Sequence, residues 1–268
     1  NKFNIGYLVY LGFDLNFAED LKYVIQQFKA EGITDLILDL RFNNGGSVEL
    51  ARYLAASIAG TSHRSDVFMR MQRNSGADEY IRFGDGDDLN LKSVRIICSE
   101  ETASASELII SGLRGIDFPV KLFGSRTEGK NVGMEVQEYK YGNKYYEFAP
   151  ITFRSFNAKD WGDYADGIDP NVMLNNQNSS YEDDIDNVFP YAFGDWDNFD
   201  FNYPLYWALC DVQGVDPTTG EPVKRSGRAG LTRSSKDEII RVPSVPLKRP
   251  AGTFGSLIYN KPEVENLY

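Results

Sequence analysis

The chain is short of the residues on which several common mechanisms depend. Its 268 residues include one histidine, His63, and two cysteines, Cys98 and Cys210. Any mechanism that needs two histidines is therefore excluded, and so is a framework of several disulfides. His and Cys do not cluster as metal ligands do, and the GDGDD stretch at 84–88 lacks the spacing of a calcium loop. We therefore predict neither a metal nor a cofactor.

Positive charge and long apolar runs are also scarce. Lys and Arg number 28 against 39 Asp and Glu, which gives a formal net charge of −11. Such an acidic surface repels polyanions, so nucleic acid is not expected as a partner. No apolar run approaches the about 20 residues that a membrane-spanning helix needs. The chain begins at Asn1 without an initiator Met, and we expect a mature or trimmed chain whose targeting segment is missing.

Apolar residues, by contrast, are abundant and periodic. Hydrophobic residues make up 42% of the chain and aromatic residues 13%, enough for a real core. Apolar runs predict strands at 3–13, 35–41, 94–98 and 119–123, with helices at about 17–28, 47–58 and 105–115 between them. Alternating residues at 134–155 predict a hairpin around Gly142-Asn143. The expected fold is α/β, with a mixed, partly parallel sheet flanked by helices and antiparallel strands towards its end.

The pattern changes near residue 175. We expect one domain over residues 1–175 and an irregular extension over 176–268. The extension is rich in Asp, Asn and aromatic residues and shows little periodicity. One helix is predicted near 204–213, and we expect it to pack on the core.

Residues 124–131 (GSRTEGKN) follow a predicted strand and resemble a phosphate-binding loop, G-x-x-x-x-G-K. Such a loop requires Ser or Thr after the lysine and then a helix, whose N-terminus faces the phosphates. Here Asn131 follows Lys130, and the next residues predict a strand. The sequence therefore argues against a nucleotide site.

Ser104 lies between a predicted buried strand and a predicted helix. Backbone N–H groups at a helix start can stabilise an oxyanion, which suits a nucleophilic serine. The alternative is an ordinary capping box, because Ser104 and Glu107 have the Ser-x-x-Glu spacing. With almost no histidine available, a nucleophile here would need another base, and Ser–Lys pairs are known. Lys130 comes one helix and one strand later, so it can return to the same sheet edge.

Four segments together resemble the C-terminal processing (tail-specific) peptidases: DLRFNNGG at 39–46, TASASE at 102–107, TEGK at 127–130 and GIDPN at 167–171. They occur in the family's order, and the resemblance covers about residues 3–173. It implies a crotonase-like or ClpP-like peptidase core. It also implies a serine endopeptidase that works through an acyl-enzyme, on protein C-terminal regions or unfolded proteins.

The resemblance also implies the site residues. Ser104 would be the nucleophile and Lys130 the general base. A general base must lose its proton near neutral pH, which burial favours because it destabilises the ammonium ion. The backbone N–H of Ala105, with that of Gly45 or Gly46, would form the oxyanion hole.

Alternatives or supporting roles are open at four other positions near Ser104 and Lys130. Ser106 is a rival nucleophile, and Glu107, at the helix start, is a possible support. Family members often carry Gln four residues after the base, where this chain has Met134. Gln137 is then a candidate to orient Lys130.

The family implies a protein or peptide substrate, which could bind as an added β-strand. It also implies a location in the bacterial cell envelope, periplasmic or associated with the outer membrane. Many family members carry a PDZ domain ahead of the catalytic core. None is visible here, since the chain begins at the first core strand, so such a domain is either cut off upstream or absent; the oligomeric state is left open. The alternative function is a catalytically weak peptidase fold that binds peptides or glycans, which Met134 and the aromatic-rich segment 181–207 suggest.

Overall fold

The structure is a computed structural model that describes residues 4–174, 193–194, 199–223 and 257–258. Most of the extension predicted at 176–268 therefore lies outside the described residues. In chain order the helices and strands are β1 (Ile5–Val9), α1 (Ala18–Glu31), β2 (Asp35–Asp39), α2 (Val48–Ala59), β3 (Val67–Arg73), β4 (Glu79–Arg82), β5 (Val94–Cys98), α3 (Ala105–Gly115), β6 (Val120–Gly124), β7 (Val132–Met134), β8 (Gln137–Tyr141), β9 (Lys144–Phe148), β10 (Ile151–Phe156), β11 (Val172–Met173), α4 (Phe199–Gln213) and β12 (Leu257–Ile258).

A five-stranded sheet forms the centre of the fold. Its strand order is β1-β2-β5-β6-β11, and every neighbouring pair is parallel. Parallel neighbours need a crossover connection, and α1 and α3 provide it between β1 and β2 and between β5 and β6. The carboxyl ends of β2, β5 and β6 therefore lie at one edge, and the loops that follow them carry the three motifs of the predicted site.

Helices cover both faces of this sheet. Alternate strand residues point to opposite faces, and Leu36 and Leu38 pack into the cluster that contains the buried residues of α1, α2 and α3. Ile37 and Ile97 pack on the other face with Leu205 of α4. Parallel sheets are found buried on both sides, and α4 supplies the second cover.

A second sheet has the order β12-β7-β10-β3-β4, and β8 and β9 form a two-stranded sheet of their own. α3 packs against β3, where Gly112 lies so close to Phe68 that a Cβ would come within 2.6 Å of the ring. The predicted α/β fold with parallel and antiparallel strands is confirmed. The central sheet is wholly parallel, whereas the second sheet is mixed: β12 pairs parallel with β7, and its other neighbouring strands are antiparallel.

Charged residues attach α4 to the sheet. Arg95 on β5 donates to Asp211 of α4 at 3.0 Å and to Asp35 at 2.8 Å, and Lys121 also pairs with Asp211. Burial opposes ionisation of Asp211, but hydrogen bonds and charges from Lys121 and Arg95 outweigh it, so the pKa of Asp211 lies below its ordinary value. Within the described part of the chain, no helix is both long and apolar enough to cross a bilayer.

Candidate active site

Ser104 occupies the turn between β5 and α3. Its φ of 59° and ψ of −113° are unusual for a residue with a side chain. The residue is fully buried, and its Oγ has no hydrogen-bond partner among the described residues. The Ser106 hydroxyl, two positions on, donates to the Asn43 carbonyl at 2.9 Å. The geometry therefore favours Ser104 over Ser106 as the reactive hydroxyl.

The buried carboxylate of Glu107 connects the serine turn to the lysine turn. Its Oε2 accepts hydrogen bonds from the backbone N–H groups of Ser104 and Lys130, each at 2.8 Å. Its Oε1 accepts from the Thr127 hydroxyl at 2.6 Å and the Gly129 N–H at 2.7 Å. The bond to Ser104 is the one expected of a capping box, but the other three extend to a different loop.

Two opposing influences act on this carboxyl group. Burial raises the pKa of Glu107, whereas the hydrogen bonds donated by Thr127, Ser104, Gly129 and Lys130 favour the ionised form. All four partners are hydrogen-bond donors, so the ionised carboxylate can accept from every one of them. A protonated carboxylic acid would instead direct its own O–H donor at one of these donors. From the sequence, Glu107 was predicted only as a possible support, because nothing local in the sequence shows a bond to residues 127–130.

The glycine pair after β2 lies directly against the serine. Gly45 has a φ of 107°, and a Cβ there would come within 2.7 Å of the Ser104 Cβ, so a glycine is required. The Gly45 N–H donates to Asn43 Oδ1 at 2.9 Å. The N–H groups of Gly46 and Ala105 have no hydrogen bond in the described part of the chain. Of the two glycines predicted for the oxyanion hole, Gly45 is therefore already committed and Gly46 is available.

Two buried polar residues hold the loops together and were given no role from the sequence. Asn43 donates from its side-chain amide to the Tyr10 carbonyl at 2.8 Å, and its own carbonyl accepts from the Ala103 N–H at 3.1 Å. The Thr102 hydroxyl donates to the Leu40 carbonyl at 2.7 Å. Both lie within the motifs, but their partners are distant in sequence, so no local signal identified them.

The GIDPN segment at 167–171 packs against the turn at 127–130 that carries Lys130. The Thr127 hydroxyl accepts from the Ile168 N–H at 2.7 Å, and the Thr127 N–H donates to the Ile168 carbonyl at 3.2 Å. Gly129 has a φ of 98°, and a Cβ there would lie 2.4 Å from the Ala165 carbonyl oxygen. The close packing of these segments fixes the backbone that leads into Lys130.

Lys130 itself is half-buried and precedes β7, so the helix that a phosphate-binding loop requires is not formed. The Ser104 hydroxyl is not hydrogen-bonded to it in this structure. Catalytic hydrogen bonds are often long in unliganded sites and tighten when substrate binds. Gln137 is exposed on β8 and makes no side-chain hydrogen bond among the described residues, so the structure does not support its predicted role in orienting Lys130.

A cysteine beside the site is poorly suited to nucleophilic attack. Cys98, at the end of β5, is buried, and burial raises the pKa of its thiol to about 12. Its Sγ lies 3.3 Å from the Ser125 carbonyl oxygen. The thiolate is the reactive form of cysteine, so this thiol is inert near neutral pH. No three His, Cys, Asp or Glu side chains come together as a metal site within the described residues.

The fold resembles those of solved peptidases. A protein of Bacteroides fragilis assigned to the S41 proteases superposes with a TM-score of 0.65, over 78% of this chain and 54% of that one, at 24% identity. The photosystem II D1 C-terminal processing protease gives a TM-score of 0.51, over 64% of this chain and 42% of that one, at 22% identity.

Sequence comparison points to the same group. A CtpA-like serine protease of Staphylococcus haemolyticus is 26% identical over 176 residues, which are 65% of this chain. The match covers 34% of that relative, so the chain spans about a third of its length. The profile of peptidase family S41 matches residues 4–174, a range that contains all four motifs and the site described above. The chain therefore belongs to peptidase family S41.

Proposed function

We propose that the chain is the catalytic region of a serine endopeptidase in which Ser104 is the nucleophile and Lys130 the general base. The observation that carries the proposal is the Glu107 carboxylate, which binds the backbone of both residues. A buried serine at a helix start, joined in this way to a lysine turn in an S41 chain, has the parts of a Ser–Lys dyad.

Each step can be assigned to a group of the chain. The Lys130 amine takes the Ser104 proton as Oγ attacks the peptide carbonyl carbon. The N–H groups of Ala105 and Gly46 stabilise the oxyanion that forms. The C–N bond then breaks, Lys130 returns the proton to the leaving amine, and water hydrolyses the remaining ester. Loss of one oxyanion donor typically lowers the rate by about 10²–10³.

The proposed substrates are protein C-terminal regions or unfolded proteins. Ser104 is fully buried in this structure, so the loops around it must open before a carbonyl can reach Oγ. An extended chain that adds to a strand edge makes main-chain hydrogen bonds with little sequence selectivity, which suits unfolded substrates. A bacterial cell-envelope location, which the motifs imply, is part of the proposal.

Hydrolysis of β-casein, an unfolded protein, tests the proposal. We expect Ser104→Ala to abolish cleavage and Lys130→Ala to reduce it to near background. Ser106→Ala is the matched control. It removes only the hydroxyl bound to the Asn43 carbonyl and should retain cleavage within about tenfold, since a neutral hydrogen bond contributes about 1 kcal/mol. Normal cleavage by the Ser104→Ala protein would overturn the proposal.

A second candidate is a peptide- or glycan-binding module with little catalytic activity. The unbonded Ser104 hydroxyl and the Met134 position support it. A fluorophosphonate, which phosphonylates activated serines with loss of fluoride, separates the two. Labelling of the wild-type protein but not of Ser104→Ala favours the peptidase, whereas ligand binding without labelling favours the binding module.

A further inference from the structure

The hairpin formed by β8 and β9 stands apart from both larger sheets. The two strands pair only with each other among the described strands, and all ten of their residues are exposed. An isolated two-stranded hairpin is only marginally stable in water. This one nevertheless carries five aromatic residues, Tyr139, Tyr141, Tyr145, Tyr146 and Phe148.

The strand register places four of these aromatics on one side. Tyr139 lies opposite Tyr146, Tyr141 opposite Lys144, and Phe148 opposite Gln137. Because side chains alternate along a strand and opposed residues share a side, one aromatic face results, defined as Tyr139, Tyr141, Tyr146 and Phe148. These four side chains are 42–70% exposed. The reverse side carries Glu138, Lys140, Tyr145 and Glu147.

The size of the aromatic face decides between possible occupants. An aromatic side chain buries about 150–250 Å² when covered, so four that are about half exposed offer on the order of 400 Å². That matches the largest apolar patches of monomeric proteins, which are often functional. It falls well below the about 800 Å² per partner of a standard protein interface. A short extended peptide fits this area better than a second copy of the chain.

Charge favours the same occupant. Within the hairpin, Glu138 and Glu147 balance Lys140 and Lys144, whereas the whole chain has a net charge of −11. Two copies would bring like-charged bodies together, but an apolar peptide meets a locally neutral surface. The outer edges of β8 and β9 are unpaired among the described strands, so they can also donate and accept main-chain hydrogen bonds.

The hairpin is also close in sequence to the proposed base. Gln137, the first residue of β8, follows Lys130 by seven residues through β7. Seven extended residues span at most about 25 Å. A polypeptide of modest length can therefore contact the aromatic face and the Ser104 turn together.

We propose that the aromatic face is an auxiliary binding surface for an extended apolar segment of an unfolded polypeptide, held at a distance from the bond that is cut. This inference rests on the proposed function for its biological meaning, but binding can be measured without catalysis.

The first experiment measures binding to the full chain with Ser104→Ala. The probe is a fluorescein-labelled decapeptide of alternating Leu and Thr, and its comparison peptide has Asp in place of Leu. The test variant is Tyr139→Thr/Tyr146→Thr, a cross-strand pair of the aromatic face, because Thr retains strand propensity. The control is Glu138→Thr/Glu147→Thr, the neighbouring pair on the reverse side. We expect the test variant to weaken the Leu peptide's Kd at least tenfold and the control to stay within twofold.

The second experiment restores Ser104 and compares substrates. With the Tyr139→Thr/Tyr146→Thr change, KM for β-casein should rise at least fivefold while kcat is kept. Cleavage of a pentapeptide too short to reach the hairpin should not change. Undiminished Leu-peptide binding by the test variant would overturn the inference. Equal binding of the Asp peptide would also overturn it. A dimer seen by sedimentation and abolished in the test variant would assign the aromatic face to a second copy of the chain, and binding of chitohexaose but of no peptide would assign it to a glycan; either result would overturn the inference. Peptide binding that depends on the aromatic face, without cleavage of any substrate, would leave the inference standing and reject the proposed function.

Discussion

The backbone of Ser104, with φ 59° and ψ −113°, is a conformation that costs a residue with a Cβ about 1–3 kcal/mol. Glycine adopts it without that strain but loses about 0.4–1 kcal/mol through the greater freedom of its unfolded chain. Strain relief is the larger effect. The serine therefore stores strain at the position that would carry out the chemistry.

Glycine and alanine at position 104 separate the effect on stability from the effect on activity. Ser104→Gly should be more stable than Ser104→Ala by about 1 kcal/mol, and both should be inactive. Urea denaturation of the two variants under the same conditions measures the difference. Equal or lower stability of the glycine variant would show that the turn is not strained.

Glu107→Gln tests the carboxylate that joins the two turns. The amide replaces one acceptor oxygen with an NH₂ group, which would face two N–H or O–H donors. Each buried donor left without an acceptor costs about 1–3 kcal/mol, so we expect the free energy of unfolding to fall by roughly 2–6 kcal/mol. Because the Ser104 turn and the Lys130 turn would separate, kcat should fall by at least about tenfold, while the affinity of the aromatic face for the Leu–Thr decapeptide is kept. Unchanged kcat would contradict a positioning role for Glu107.

At the scale of elements, α4 depends on an ion pair as well as on apolar contact. Asp211 bonds Arg95 and Lys121, and its side chain is 12% exposed. Exposed pairs contribute at most about 1 kcal/mol, whereas breaking a buried pair costs about 3–5 kcal/mol. We expect an intermediate cost here, roughly 2 kcal/mol, for Asp211→Asn at pH 7.

The pH dependence of that cost follows from the pKa of Asp211, which is lower in the folded state than its ordinary value. The unfolded state binds the proton more readily, so this contribution is fully present above the unfolded pKa of about 3.9 and is lost as pH falls through the folded pKa. Unfolding free energies at pH 7 and pH 3 should show the Asp211→Asn difference shrinking in acid. Asp85→Asn, in the exposed pair with Arg64, is the control and should change little at either pH. A cost for Asp211→Asn that is independent of pH would contradict this assignment.

At the scale of the whole molecule, the sequence predicts those features that are determined by the local pattern of apolar and turn residues. The alternation of apolar runs predicted the α/β fold, and the turn at Gly142-Asn143 was found where expected, with Tyr141 opposite Lys144. α1 illustrates the reason, since Leu21, Ile25 and Phe28 are its buried residues and have helical spacing.

Features that depend on distant partners were not predicted. The separation into two sheets follows from pairing β3 with β10, where Met71 lies opposite Ser155, and no local pattern records that pairing. Among the described residues, which of Gly45 and Gly46 keeps a free N–H for the proposed oxyanion hole depends on the orientation of the Asn43 side-chain amide, whose oxygen accepts from Gly45. The three further hydrogen bonds of Glu107 depend on how the loop after β6 returns to α3.

The convergence of these loops on Glu107 has a consequence for the newly made protein. Three separate stretches of chain form the site: the glycine pair, the Ser104 turn and the Lys130 turn. The GIDPN segment, which packs against the Lys130 turn, is translated after all three. A ribosome that has released only the first two stretches has made the proposed nucleophile without the proposed base. Under the proposed function, peptide cleavage could begin only after the domain had closed, because the contacts that complete the fold would also bring the proposed nucleophile and base together.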